Sequence, residues 1–242
     1  MAKVTAVVTN YNMPERTDAL VRHLRHEPCD VVVVDNGSDI IPANYPGRNR
    51  RDYAGYTRVR LEKNVQTTGG WLEGLKHAQG ADYYWILGTS AEFIGVPVLN
   101  TMLKCMNSYS DCVGVHPSLT KDSTTSWEHL KTIGMEGWRR VWMIDNIAAL
   151  WRADWFDSVG GFDPRFIYAW GSDLELAYLA RTQGKSLYVS EPAGIRKVTD
   201  IGYAMNRMNM SADERRTLAR QNMQSVMYSK YGENWRELMY VE

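Results

Sequence analysis

Short apolar runs alternating with stretches of helical spacing set the rhythm of the first hundred residues. Residues 4–9, 31–34, 59–61 and 82–87 are rich in β-branched and aromatic side chains and are expected as strands. Between the first two, Leu20, Val21 and Leu24 recur at helical spacing, and a second helical pattern runs to Gln79, where Gly80 is a stop signal. Strands that are apolar throughout, alternating with helices, imply a parallel sheet covered on both faces. In such sheets ligands bind beyond the carboxyl ends of the strands. The polar residues following the first two strands, Thr9 to Asn12 and Asp35 to Asp39, therefore fall at the ligand edge.

The second half follows a looser pattern. A helix is expected over 96–109 and strands over 112–115 and 187–189, with a polar, irregular stretch at 118–139. Residues 141–151 read as a strand interrupted by Asp145 and Asn146, and burying such groups unpaired costs about 1–3 kcal/mol each, so they are expected to face a cavity. Asp173 and Glu175 open a helix expected to run through Arg181. An amphipathic helix over 211–231 and then Trp235, Leu238 and Met239 close the chain, and 40–57 reads as a loop.

The chain has 242 residues, with 28 Lys plus Arg against 28 Asp plus Glu, so net charge points to neither a nucleic-acid nor a membrane partner. Arg48, Arg50 and Arg51, and Arg215, Arg216 and Arg220, read as solvated surface. Cys29, Cys105 and Cys112 are odd in number and lack metal or disulfide spacing, which fits a reducing cytoplasm. No apolar run approaches a membrane span, and the strand pattern begins without a signal-peptide region. Nine Trp and fourteen Tyr supply core, and also the faces on which sugars stack.

Several features have local explanations. Asp35-Asn36-Gly37-Ser38 is a turn sequence, a carboxylate in a first helical turn is a capping group, and His116 before Pro117 is best read as a structural histidine. Gly69 and Gly70 either form a tight turn opening a helix or offer a helix N-terminus to phosphate.

The string Gly160-Gly161-Phe162-Asp163, an aromatic loop, and then Trp170-Gly171-Ser172-Asp173-Leu174-Glu175-Leu176 resembles a signature block of family 2 glycosyltransferases. The segments around Thr9-Asn10-Tyr11 and Asp35-Asn36-Gly37-Ser38 resemble that family's two nucleotide-reading corners. The resemblance implies an α/β chain of the GT-A fold, Rossmann-like, with a mostly parallel central sheet, helices on both faces and a C-terminal helical tail. Residues 1–205 would be the catalytic domain, with a nucleotide-binding half over 1–93 and an acceptor-binding half over 94–205, and 206–242 a helical extension.

The implied activity is an inverting, hexosyltransferase-type transfer from a nucleoside-diphosphate sugar, UDP-sugar favoured, to a hydroxyl acceptor. That acceptor could be a saccharide, a protein, a lipid-linked glycan or a modified base. By the resemblance Asp173 is the general base, and Trp170 and Glu175 are acceptor-side residues. Donor-binding positions are Thr9, Asn10, Tyr11, Asp35, Asn64, Gly69, Gly70, Thr89, Ser90, Asp145, Asn146, Arg196 and Lys197.

Three departures matter. Ser172 stands where relatives have glutamate, which should leave Asp173 more acidic than theirs. Gln66 replaces a glycine. Ser90 stands where relatives carry the aspartate that holds Mn²⁺ or Mg²⁺, so such an ion would rest on Glu92, on the diphosphate alone, or be replaced by Arg196 and Lys197. The competing reading is a degenerate GT-A domain that binds nucleotide or glycan without catalysis.

Overall fold

A computed structural model of the chain describes residues 2–40, 56–95, 97–198 and 210–240. The expected loop at 40–57, apart from its ends, the arginines at 48, 50 and 51, and the boundary at 205 lie outside the described residues.

The four expected N-terminal strands form one parallel array: β1 (Val4–Asn10), β2 (Asp30–Asp35), β3 (Tyr56–Arg60) and β4 (Tyr83–Gly88), in the order β3-β2-β1-β4. Helices α1 (Pro14–Leu24) and α2 (Gln66–Leu75) cover opposite faces. A side chain at Gly74 of α2 would collide with Val7 and Val34, which places α2 on their face of the sheet. On the other face His23 of α1 stacks on Phe93 at 4.1 Å, and Phe93 meets the edge of Trp85 at 5.5 Å.

Beyond β4 the sheet becomes mixed. It continues through β5 (Ala91–Phe93), β6 (Cys112–Leu119), β7 (Trp138–Val141), β8 (Leu150–Arg152) and β9 (Ser186–Lys197), with the order β4-β8-β6-β9-β5 and β7 also on β9. β6 and β9 are parallel, while β8 runs antiparallel to β4 and β6, and β5 and β7 run antiparallel to β9. The remaining α-helices among the described residues are α3 (Leu99–Ser108), α4 (Ala153–Ser158), α5 (Ser172–Thr182), α6 (Ala212–Tyr231) and α7 (Trp235–Met239). No helix among the described residues is long and apolar enough to cross a membrane.

Four sequence expectations need correction. Residues 141–151 are not one strand: β7 ends at Val141, β8 begins at Leu150, and Asp145 and Asn146 occupy the connection. There Asp145 accepts from the Ile147 amide at 3.2 Å and Asn146 Oδ1 from Trp151 Nε1 at 3.0 Å, so side-chain bonds take over from a ladder. Arg196 and Lys197 lie within β9, paired with β5, rather than after a strand that stops at 189. β6 runs on through Pro117 to Leu119, tolerating the missing amide with a register shift at Pro117/Ser118. Helix α3 starts at Leu99 because the buried Glu27 carboxylate accepts from the amides of Val98 at 2.7 Å and Leu99 at 3.1 Å.

Candidate active site

At the carboxyl ends of β1 and β2 the sequence-predicted residues gather, but several are already engaged. Asp35 is fully buried, accepts from Arg60 Nη1 at 2.8 Å and from the Ser38 amide at 3.1 Å, and has Arg58 at 3.9 Å. Asn10 is equally buried and holds the start of α1, accepting from the Met13 amide at 3.1 Å and Thr17 Oγ1 at 2.9 Å while donating to Ser38 Oγ at 3.2 Å. These two shape the corner. Thr9 Oγ1 is buried there with no hydrogen-bond partner among the described residues, and Tyr11 is partly exposed just beyond.

Asn64, Gly69 and Gly70 are also explained by the chain itself. Asn64 Oδ1 accepts from the Gln66 amide at 2.7 Å and from Asn36 Nδ2 at 3.1 Å. A side chain at Gly70 would come within 2.6 Å of Thr9 Cγ2, and one at Gly69 within 2.8 Å of Val65 Cγ2. The first turn of α2 faces protein: the Thr68 amide donates to Ile167 O at 3.3 Å, and its hydroxyl donates to Phe166 O. Arg215 is not simply solvated surface, since it reaches back from α6 to Gln66 Oε1 at 2.5 Å and lies 4.4 Å over the Tyr168 ring.

A second corner forms past the end of β4. The Gly88 amide donates to Ile147 O at 2.8 Å, and the Val198 amide donates to Ser90 O at 2.9 Å. Those bonds bring the 142–149 connection and the end of β9 to the Gly88-Thr89-Ser90 turn. Lys197 Nζ then sits 2.5 Å from Asp145 Oδ2, and Asn146 Nδ2 donates to Ser172 Oγ at 3.4 Å. Ser90, Asp145, Asn146, Asp173 and Lys197 are thus drawn together from four separate segments.

Asp173 enters this corner on a constrained turn. Gly171, the N-cap of α5, has φ of +91°, and a side chain there would meet Met223 and Phe166 within 3 Å. Ala169 holds a left-handed φ of +67°, a conformation that costs a non-glycine residue about 1–3 kcal/mol and marks sites whose surroundings over-determine them.

Asp173 Oδ1 accepts from the Leu174 amide at 2.9 Å. Burial first, and then the charge of Asp145, push its carboxyl up to about 7, against the Leu174 amide and Lys197, which favour the anion. Asp173 is therefore not acidic despite the absence of glutamate at Ser172: burial raises its carboxyl first, and Asp145 adds a negative neighbour from another part of the chain. Ser172 itself is buried and donates to Ala169 O at 2.7 Å.

His116 lies buried beneath the same corner. Burial pushes its imidazole down to about 4, so it is neutral. Its Nδ1 faces the Pro117 carbonyl and must carry the proton, which leaves Nε2 an acceptor with no donor among the described residues.

Glu175 goes elsewhere. Glu175 is 2 % exposed, accepts from Tyr231 Oη at 2.7 Å and pairs with Lys230, so it ties α5 to α6. Trp170 is 41 % exposed on the loop before α5. Sequence reasoning missed the aromatic group beside Asp173: Trp127, His129, Trp142 and Tyr240. Trp142 lies 4.9 Å from His129, 5.8 Å from Trp127 and 6.2 Å from Tyr240. Burial and the Asp173 carboxylate both raise the Tyr240 phenol. The abundance of tryptophan was the one signal available, and it carried no position.

Among the described residues the acids do not make a cation site by themselves. The β4 turn has no carboxylate, Glu92 pairs with Arg196 Nη2 at 2.8 Å on the exposed surface, and Asp145 is matched by Lys197. Among the described residues no three His, Cys, Asp or Glu side chains are grouped to hold a metal.

No family model matches the chain. Uncharacterized proteins of Mycobacterium tuberculosis and Mycobacterium bovis are 26 % identical over 232 residues, covering 88 % of this chain and 82 % of theirs. Among solved structures, GalNAc-T7 with UDP, GalNAc and Mn²⁺ aligns with a TM-score of 0.65 at 11 % identity, over 81 % of this chain and 43 % of that one. The mannosyltransferase PcManGT of Pyrobaculum calidifontis, in complex with GDP-Man and Mn²⁺, gives 0.65 at 16 % identity over 94 % and 64 %. Residues 1–349 of S. aureus TarS give 0.63 at 13 % identity over 96 % and 73 %. The chain spans less than two thirds of the first two of these structures, and what it shares with all three is the GT-A fold.

Proposed function

We propose that the protein transfers a sugar from a nucleoside-diphosphate donor to a hydroxyl acceptor with inversion, Asp173 acting as general base. The observation that carries this reading is the Asp173 carboxyl at the mouth of the second corner, with its proton affinity moved to about 7 by burial and Asp145. A base poised near the working pH has both the right protonation state and the driving force to take a hydroxyl proton. As that proton leaves, the acceptor oxygen attacks the anomeric carbon opposite the departing diphosphate. Thr9 and Tyr11 would meet the nucleoside, with Asp35 and Asn10 fixing the shape of the corner. Lys197, held by Asp145, would place positive charge where the diphosphate develops negative charge.

The neighbouring structures are described with UDP and with GDP-Man, which supports a nucleotide-sugar donor without choosing its base. Thermal unfolding against UDP, GDP, dTDP and CDP tests the reading. A ligand at 100 times its dissociation constant adds about 2.7 kcal/mol, which at this size raises the midpoint by about 5–10 °C. One nucleotide should produce that rise. Because Asp145 and Glu92 are already paired with Lys197 and Arg196, Mn²⁺ without nucleotide should produce none. No rise with any of the four would sink the transferase and favour a glycan-binding module.

A further inference from the structure

We infer that the cleft bounded by α5, β7 and the start of β9 is a subsite for an anionic group, phosphate or carboxylate, carried by the acceptor. The acceptor assignment rests on the transferase reading, whereas the anion site rests on the cleft alone. The cleft has a volume of about 500 Å³, and its lining includes Arg139, Arg140, Arg181, Lys185, His129 and Trp142, with no acidic side chain among the described residues. In a chain whose charges cancel, four cations around one concavity are a local concentration and not a consequence of composition.

The cations are not equivalent. Arg139 is neutralised by Glu191, Nε to Oε1 at 2.7 Å, and serves as a wall. Arg140 and Lys185 have no ion-pair partner among the described residues. Arg181 donates through Nη2 to Leu238 O, but its Nη1 is buried with no hydrogen-bond partner among the described residues. A guanidinium cannot shed its proton to relieve that, so a buried donor there is unfavourable until an acceptor arrives. A phosphate or carboxylate oxygen is the acceptor that matches it in charge and in planar, forked geometry.

The position ties the cleft to Asp173. Asp173, Ala177 and Arg181 follow at four-residue intervals and share one stripe of α5. At 1.5 Å per residue, Arg181 lies about 12 Å along the axis from the proposed base. Between them Ala177 and Ala180 give a low floor, and both line the cleft. Trp142 lines it too, and the Tyr240 that packs on Trp142 feels the Asp173 charge. An acceptor hydroxyl at Asp173 and its anion at Arg181 would therefore be separated by the span of a short saccharide rather than by one ring.

Calorimetric titration of the full chain at low salt with glucose 6-phosphate, glucuronate and neutral glucose tests this. At least one anion should bind and glucose should not, the successful anion showing whether phosphate or carboxylate is preferred. The double variant Arg140→Gln, Lys185→Gln, which alters two cations with no ion-pair partner, should weaken anion binding at least tenfold. Its unfolding midpoint and its response to nucleoside diphosphates should be unchanged. Equal binding of glucose and both anions, or undiminished anion binding by the double variant, overturns the subsite. Anion binding in a protein that no nucleoside diphosphate stabilises would keep the anion site and sink the transferase, whereas nucleotide binding without anion binding sinks the subsite alone.

Discussion

Asp173 and Glu175 are two carboxylates in the same helical turn with opposite fates. Asp173 is half-buried, and burial and then the charge of Asp145 outweigh the groups that favour its anion, so its carboxyl is moved to about 7. Glu175 is more deeply buried yet enclosed by donors, with Lys230 and Tyr231 both on it. The same Lys230 reaches Asp163 at 2.7 Å, where burial works against the anion but Arg165 and Lys230 together hold the carboxyl well below the ordinary range. Burial alone therefore does not make a base; burial without a counter-charge in contact does. Helical geometry explains the division, since two residues at 3.6 per turn point to nearly opposite sides. One carboxylate faces the corner formed by β4 and β9, and the other faces the C-terminal helix.

Exchanging each for its amide should separate chemistry from stability. Asp173→Asn should lower transfer by about 10²- to 10⁴-fold, the usual contribution of a positioned acid–base group. The same variant should be more stable than the parent at pH 8. A carboxyl whose folded value is raised gives stability that is complete below its unfolded value near 4 and lost as pH rises through about 7. Removing the charge restores it, with a ceiling of about 4 kcal/mol set by the difference between those two values, reduced by whatever water reaches the half-buried group. Unfolding at pH 8 and pH 4 should show the gain at the first and little at the second. Equal gains at both would mean that Asp173 is not strained by its charge.

Glu175→Gln should do the reverse. Breaking a buried ion pair costs about 3–5 kcal/mol, but Lys230 keeps Asp163, so a loss of about 1–3 kcal/mol is expected, or roughly 2–10 °C in the midpoint. Transfer at a temperature where the variant is folded should fall less than threefold. If Glu175→Gln instead abolished transfer without destabilising the protein, the two carboxylates would belong to one site and the contrast would be lost.

How much of this was legible depended on whether a residue's role was set locally. The runs at 4–9, 31–34 and 82–87 gave the parallel half of the sheet because strands buried on both faces need apolar residues throughout. The corner past β4 was legible only as separate names. Asp145 and Asn146 were expected to face a cavity, and they do meet Lys197 and Ser172, but the strand expected to carry them is a connection. Nothing in the sequence paired Asp145 with Asp173, because that proximity is made by backbone bonds from Gly88 to Ile147 and from Val198 to Ser90. Arg181 and Tyr240 were hidden for the same reason. They come near Asp173 and the cleft through the packing of α7 on α5, and no local pattern encodes a contact across 57 residues, the separation of Arg181 from Leu238.

The subtlest contrast concerns the cation beside the proposed base. Transfer should rise with pH through about 7 as Asp173 loses its proton. Lys197 favours that loss, and it does so while neutralising Asp145, whose charge opposes it. Lys197→Gln removes both effects, so the anionic form of Asp173 becomes harder to reach and the midpoint of the pH–rate profile should move upward, while Lys197→Arg should leave it in place. At pH 6 the Gln variant is then impaired more than at pH 9, a pattern that merely damaged diphosphate binding would not produce, since that loss would be the same at both. A profile in Lys197→Gln that keeps its midpoint but drops uniformly would assign Lys197 to the leaving group alone, and the electrostatic link between the two acids of this corner would have to be abandoned.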